Sequence, residues 1–339
     1  MGSRGRSAKF ADLMVDYVPE SSTAVERSEL PPEAAMPSHR SAGHVALGLL
    51  WTARPHQWIK NVFVLAPVVF AKDLFVASLV LRAAGAFLVF CVLAGAVYTM
   101  NDIADAKADR AHPVKRYRPI ASGLISRNQA VLFAVTLVAL GLGGAAFLPL
   151  PFFLTAAGYF LMNIAYSFGL KRVPYLDVGI IAAGFVLRVM AGGYGTQINV
   201  SGYLFACTAL LALFLGFGKR RHELSAAEVG SKRKQRKVLD AYSARGLDIA
   251  LAVTALATIF TYLAYTLNPT TQAFFHSTRL WMTSIFVILG VLRFIYLVRN
   301  RPTAESPTQE MLKDGPFVGV VLCWAMVVIW TVYNLQPAG

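Results

Sequence analysis

From about residue 56 to the C-terminus, near-continuous apolar stretches recur, each close to the roughly 20 residues a helix needs to cross the hydrocarbon layer. Val178 to Val189 and Ile249 to Leu267 are apolar on nearly every face, whereas membrane β-strands alternate apolar and polar residues over about ten positions. The expectation is therefore an all-α polytopic membrane protein. With 56% hydrophobic and only 15% charged residues, the chain lacks the polar surface of an ordinary water-soluble domain. Hydropathy places about nine spans, roughly at 56–72, 75–100, 128–147, 151–169, 175–195, 201–218, 247–267, 278–298 and 316–335.

The net charge of +14 does not point to nucleic acid, because most Lys and Arg cluster in short segments between apolar stretches and form no recognised binding motif. Those clusters alternate from loop to loop. Lys107, Arg110, Lys115, Arg116, Arg118 and Arg127 follow the second span, Lys171 and Arg172 the fourth, Lys219 to Arg245 the sixth, and Arg299, Arg301 and Lys313 the eighth. The intervening loops carry almost none: only Lys72 follows the first span and only Arg279 the seventh. Positive residues collect on the cytoplasmic side, so the N-terminus is expected inside and the Leu335 to Gly339 tail outside.

Residues 1–43 mix Ser, Glu, Pro and Arg without periodicity and read as a disordered tail, leaving 44–339 as the membrane domain. Lys9 to Val18 contains two Asp and no sustained apolar run, so no signal peptide is expected. Cys91, Cys207 and Cys323 are isolated in apolar stretches and are assigned to packing.

Between His44 and Phe217 the acidic residues are Asp73, Asp102, Asp105, Asp109 and Asp177, and three of them fall within eight residues. At about 100° per helical residue, Asn101, Asp102, Asp105 and Asp109 project within roughly a 100° arc, placing all four on one cytoplasmic helix face. Clustered carboxylates repel unless cations neutralise them. Mg²⁺ favours a few carboxylate oxygens together with substrate phosphates and water, so this face is a candidate metal and catalytic site. The alternative is an acidic turn paired with neighbouring Lys and Arg.

Basic groups converge on the same side: Arg54, Lys60, Lys115, Arg116, Arg118, Lys171 and Arg172, with Asp177 opening the fifth span. As a set they suit a substrate carrying several phosphates. Arg188 lies nearly three turns inside an apolar segment, where a charge costs at least about 2.5 kcal/mol. It should face the bundle interior and meet an anion, either Asp177 or a substrate phosphate. The run Lys219 to Glu223 reads as a site-proximal loop or as a topology determinant.

Asn101-Asp102-Ile103-Ala104-Asp105-Ala106-Lys107-Ala108-Asp109 meets the NDxxDxxxD pattern, and with the nine spans the chain resembles the UbiA superfamily of intramembrane prenyltransferases over about residues 50–335. The second aspartate-containing motif of that superfamily is incomplete here: the corresponding segment runs Tyr166 to Lys171, with Asp177 the only carboxylate after it. Within the superfamily, Arg54 to Asn61, His112 to Gly123 and Leu176 to Arg188 resemble the decaprenyl-phosphate phosphoribosyltransferases. That resemblance implies an actinobacterial plasma-membrane enzyme moving 5-phosphoribose from phosphoribosyl pyrophosphate to decaprenyl phosphate, for cell-wall arabinan synthesis. It implies Mg²⁺ held by Asn101, Asp102, Asp105 and Asp109, and substrate contacts from Lys60, Lys115, Arg118, Tyr166, Lys171, Asp177, Arg188 and Lys219. Two other readings stay open: a conventional prenyltransferase using a prenyl diphosphate, and, against the collection of charge at one face, a transporter. The sequence allows a homo-oligomer without requiring one.

Overall fold

A computed structural model describes residues 42–228, 239, 241–300, 310, 311 and 313–333. The tail reading for residues 1–41, the solvated stretch 231–237 and the extreme C-terminus fall outside these residues, while Ala42 and Gly43 open the first helix. All regular structure among the described residues is helical. Helices α1 (Ala42–Thr52), α2 (Ala66–Phe70) and α9 (Pro269–Phe275) are short. Eight are long and apolar enough to cross a membrane: α3 (Ala77–Arg110), α4 (Arg127–Ala145), α5 (Leu150–Phe168), α6 (Leu176–Thr196), α7 (Gly202–Glu228), α8 (Ala244–Leu267), α10 (Met282–Asn300) and α11 (Gly315–Val332). The protein is a polytopic membrane protein.

The expected first span takes a different form. Pro55–Leu65 is a 3-10 helix that runs into α2. At about 2.0 Å per 3-10 residue and 1.5 Å per α residue, the two together extend about 30 Å, the thickness of the hydrocarbon layer. They join opposite ends of the bundle. Arg54 bonds to Asp102 near the C-terminal end of α3, whereas the Val69 carbonyl accepts from Tyr333 Oη at 3.1 Å beyond the end of α11. This stretched segment is long enough to match a span, with fewer residues than an α-helix would need.

Helices prevail because hydrocarbon offers backbone groups no partner, so each span must close its own hydrogen bonds. Side-chain hydroxyls follow the same rule. Thr99, Thr196, Thr254 and Thr331 each donate to the carbonyl four residues earlier. Ser126 and Gln129 form a capping box at the start of α4, and Asp314 caps α11 while pairing with Arg293 of α10. Large apolar residues such as Phe147, Leu132, Leu161, Phe260 and Leu322 stay exposed around the bundle, where lipid is the solvent.

One core joins the 3-10 segment, α3, α5 and α6 through Val64, Phe90, Phe152, Tyr159 and Ala191. A second joins α7, α8 and α10 through Phe214, Leu251, Val291 and Phe294. Gly192 sets the approach of α6 to the 3-10 segment, since a Cβ there would lie 1.9 Å from the Val64 carbonyl oxygen. Gly192→Ala is expected to destabilise the fold by about 1–3 kcal/mol, because backbone cannot yield as a side chain can. Gly143→Ala, with open space around the site, is the control in a detergent-micelle unfolding comparison.

Candidate active site

The acidic face lies in the last three turns of α3. Asp102 and Asp109, seven residues apart, project to the same side, and both are buried. Two arginines from flanking segments meet them. Arg54 Nη2 lies 2.6 Å from Asp102 Oδ1, while Arg118 Nη1 bridges Asp102 Oδ1 at 3.2 Å and Asp109 Oδ2 at 2.7 Å. Arg54 takes the left-handed backbone conformation (φ 53, ψ 62) that turns the chain from α1 into the 3-10 segment, and its guanidinium lies 5.2 Å from the Tyr98 ring centroid. Arg118 is delivered by a loop folded back on the helix end, tied down by Arg110 Nε donating to the Ala121 carbonyl at 3.2 Å. The alternative envisaged from sequence, carboxylates paired with nearby arginines, is thus realised at Asp102 and Asp109.

These residues fit a divalent cation. A single guanidinium nitrogen already sits between the two carboxylates, marking a point where both direct oxygen toward one positive charge. The donors are hard oxygens, and Mg²⁺ needs only one or two carboxylates when phosphates and water complete its shell. Asp105 and Asn101 are half-buried on the same helix. Among the described residues, no three His, Cys, Asp or Glu side chains are grouped as a metal-holding set.

Arg188 of α6 points into the bundle and is buried, as its position predicts. Its partners are neutral. Nε donates to Asn61 Oδ1 at 2.8 Å, Nη1 to the Gly184 carbonyl at 2.8 Å and Nη2 to Tyr159 Oη at 2.6 Å, with the Tyr159 ring 4.7 Å from the guanidinium carbon. Asn61 is itself held by a bond from Nδ2 to Cys91 Sγ at 3.3 Å. Cys91 lies eleven residues before Asp102, about 16 Å along the axis of α3, so this cradle sits deeper in the bundle than the carboxylates. Three of the five guanidinium N–H groups are engaged and none of their partners is an anion. Lys60 of the 3-10 segment feels the positive charges of Lys219, Arg188 and Arg54, so a basic lining links the two levels.

Asp177 is not the partner of Arg188. Fully buried in the first turn of α6, it faces Arg220 of α7, whose Nε lies 2.7 Å from Oδ2 in a close ionic contact. The run containing Arg220 was expected in a loop, but α7 continues through it to Glu228, so Lys219 to Glu223 is helical. Tyr242 Oη donates to Asp177 Oδ1 at 2.5 Å, and burial together with that carboxylate pushes the phenol well above its ordinary pKa, keeping it a donor. Tyr166 lies near Arg220. Lys115 is exposed in the turn before Arg118, and Lys171 occupies the 3-10 turn Leu170–Arg172 between α5 and α6. Sequence reasoning missed Tyr159, Cys91 and Tyr242 as partners. Asn61, the polar residue that opens the apolar run after Lys60, was the signal that could have pointed to a partner for Arg188.

Residues 61–313 match the UbiA prenyltransferase family. The chain is 32% identical over 301 residues to a decaprenyl-phosphate phosphoribosyltransferase of Corynebacterium glutamicum, covering 86% of this chain and 88% of that protein. It is 35% identical to the protein of the same name from Mycobacterium tuberculosis, covering 84% and 94%. The fold matches a UbiA homologue from Archaeoglobus fulgidus bound to DMAPP and Mg²⁺, with a TM-score of 0.60, 20% identity, and coverage of 85% of this chain and 100% of that one. The same homologue bound to GPP and Mg²⁺ gives a TM-score of 0.61 at 18% identity. With three quarters of its length inside the family match and the acidic helix within that region, the chain belongs to the UbiA prenyltransferase family.

Proposed function

We propose that this protein transfers 5-phosphoribose from phosphoribosyl pyrophosphate to a polyprenyl phosphate, decaprenyl phosphate by the names of its relatives, releasing pyrophosphate. The observation that carries this reading is Arg188, a buried cation held by neutral groups below the acidic face. A prenyl diphosphate concentrates its charge at one end and would lay an apolar chain along such a level. Phosphoribosyl pyrophosphate carries phosphate at both ends, and its acceptor brings another, so this reaction supplies an anion for each level.

In this scheme Asp102 and Asp109 hold Mg²⁺, with Asn101 and Asp105 on the same face. The chemistry Mg²⁺ supplies there is neutralisation of diphosphate charge as it develops. Arg54 and Arg118, already at the carboxylates, are placed to bind the same diphosphate. Lys60, Arg188 and Lys219 bind the remaining phosphate groups, Lys115 and Lys171 add positive charge at the mouth, and Tyr166 lines it. A lipid phosphate oxygen forms the new bond to ribose C1 as the bond from C1 to pyrophosphate breaks, and the leaving group takes the electron pair. The nucleophile is already ionised near neutral pH, so no protein base is needed. Apolar helix faces receive the polyprenyl tail. The distribution of Lys and Arg among the loops supports a plasma-membrane orientation with the acidic end cytoplasmic.

The test is transfer from labelled phosphoribosyl pyrophosphate to decaprenyl phosphate by purified protein, with Mg²⁺ and with chelator. Lipid-linked product that requires the metal is expected. Consumption of a prenyl diphosphate, with no phosphoribosyl product, would replace the reading with conventional prenyl transfer.

A further inference from the structure

The reaction scheme leaves unused a fully buried pair of charged groups. Asp177 and Arg220 are 0% and 1% exposed, and Arg220 also pairs through Nη1 with Glu223 of its own helix. Tyr242 Oη, which donates to Asp177, accepts the Tyr175 backbone N–H at 2.6 Å. That bond holds Tyr175 at φ 63, ψ −38, a conformation non-glycine residues rarely adopt, at the entry to α6. One residue after Asp177, α6 and α7 touch so closely that a Cβ on Gly216 would fall 2.7 Å from Val178 Cγ1. Two neighbouring contacts, one ionic and one steric, therefore fix the rotation of α7 about its own axis.

That rotation matters because of the residue before Arg220. Lys219 is about 100° around the helix, and its charge is felt by Lys60 on the 3-10 segment, together with those of Arg188 and Arg54. With Arg220 held against α6, Lys219 falls on the adjoining side of α7. A buried ion pair is a poor device for adding stability, since desolvation cancels most of its attraction, and packed apolar residues would serve as well. What it adds is location, since the ionic contact ties Arg220 of α7 to the first turn of α6.

We propose that Asp177, Arg220 and Tyr242 form a positioning unit that aims Lys219 at the phosphate site, so that Asp177 acts on substrate binding through Lys219 and touches neither substrate nor metal. This rests on the reading of Lys219 as a phosphate-binding side chain.

A double-mutant cycle decides it, using the full-length protein in detergent. Affinity for Mg²⁺-phosphoribosyl pyrophosphate is measured by calorimetry, alongside KM, kcat and the unfolding temperature. Asp177→Asn and Lys219→Met are each expected to weaken donor binding and raise its KM about tenfold, a coupling near 1.4 kcal/mol. Their combination should be no worse than Lys219→Met alone. Asp177→Glu, which keeps the charge, should recover most of the affinity. If Asp177→Asn does not fold, Tyr242→Phe removes only the hydroxyl and should weaken binding about threefold in the wild type and not at all beside Lys219→Met. Multiplicative losses, or a fall in unfolding temperature with donor affinity unchanged, would overturn the proposal. If the wild type binds no phosphoribosyl pyrophosphate, the assigned reaction falls, and the same proteins compared by pyrophosphate affinity decide the positioning role with the same two outcomes.

Discussion

Arg188→Met should lower kcat/KM for phosphoribosyl transfer by about 30-fold to several thousand-fold, corresponding to roughly 2–5 kcal/mol for removing a buried charge from an anion it contacts. Its effect on stability should be small or favourable. The guanidinium is held by Asn61, Tyr159 and the Gly184 carbonyl, with no carboxylate among those bonds, so the ligand-free protein carries an uncompensated cation in a low-dielectric interior. Methionine fills much of the same volume without that cost, although it leaves three acceptors short of a donor. A structural ion pair would behave in the opposite way, since breaking one costs about 3–5 kcal/mol of stability. Thermal unfolding measured beside steady-state kinetics separates the two. A drop of ten degrees or more with little kinetic change would mean that Arg188 belongs to the scaffold.

Asp102→Asn is expected to reduce transfer by at least about 10²–10³-fold, the scale seen when one preorganised electrostatic contact at a developing charge is lost. Asp102 meets both Arg54 and Arg118, whereas Asp109 meets Arg118 alone. The substitution therefore disturbs two basic side chains as well as the metal site. Asp109→Asn should show the smaller loss of the two. Raising Mg²⁺ should partly restore Asp109→Asn and leave Asp102→Asn low; equal recovery in both would show that the two carboxylates share the work evenly. Transfer assays across a Mg²⁺ titration read all of this directly.

Spans were legible because membrane insertion is read from local hydropathy, and eight of the nine stretches form the helices expected of them. Arg188 facing inward was legible for the same reason: a charge in an apolar run has nowhere else to go. Its partners were not. Asn61 lies 127 residues away in sequence and Tyr159 lies 29 away, and nothing in either local pattern brings them together. Asp177 was equally opaque, because Arg220 looked like part of a charged loop when it is the continuation of a membrane helix. The acidic face was visible as a pattern, but its arginine partners depended on how the 110–125 loop brings Arg118 back and on the turn at Arg54 that opens the 3-10 segment. The 3-10 form of the first apolar stretch was hidden too, since its hydropathy resembles that of the other stretches.

That 3-10 form changes how its side chains should be compared between relatives. With three residues per turn, positions do not drift around the axis as they do in an α-helix, and the segment becomes a three-sided prism. His56, Ile59 and Val62 are the exposed edge, Asn61 and Val64 continue the line of Trp58 toward the core, and Gln57, Lys60 and Phe63 form the third side. A helical wheel drawn at 100° per residue would scatter these sets. Read in threes, a replacement at 59 or 62 is an exchange of lipid contacts, one at 61 or 64 alters the support beneath Arg188, and one at 57, 60 or 63 changes the wall that carries the lysine.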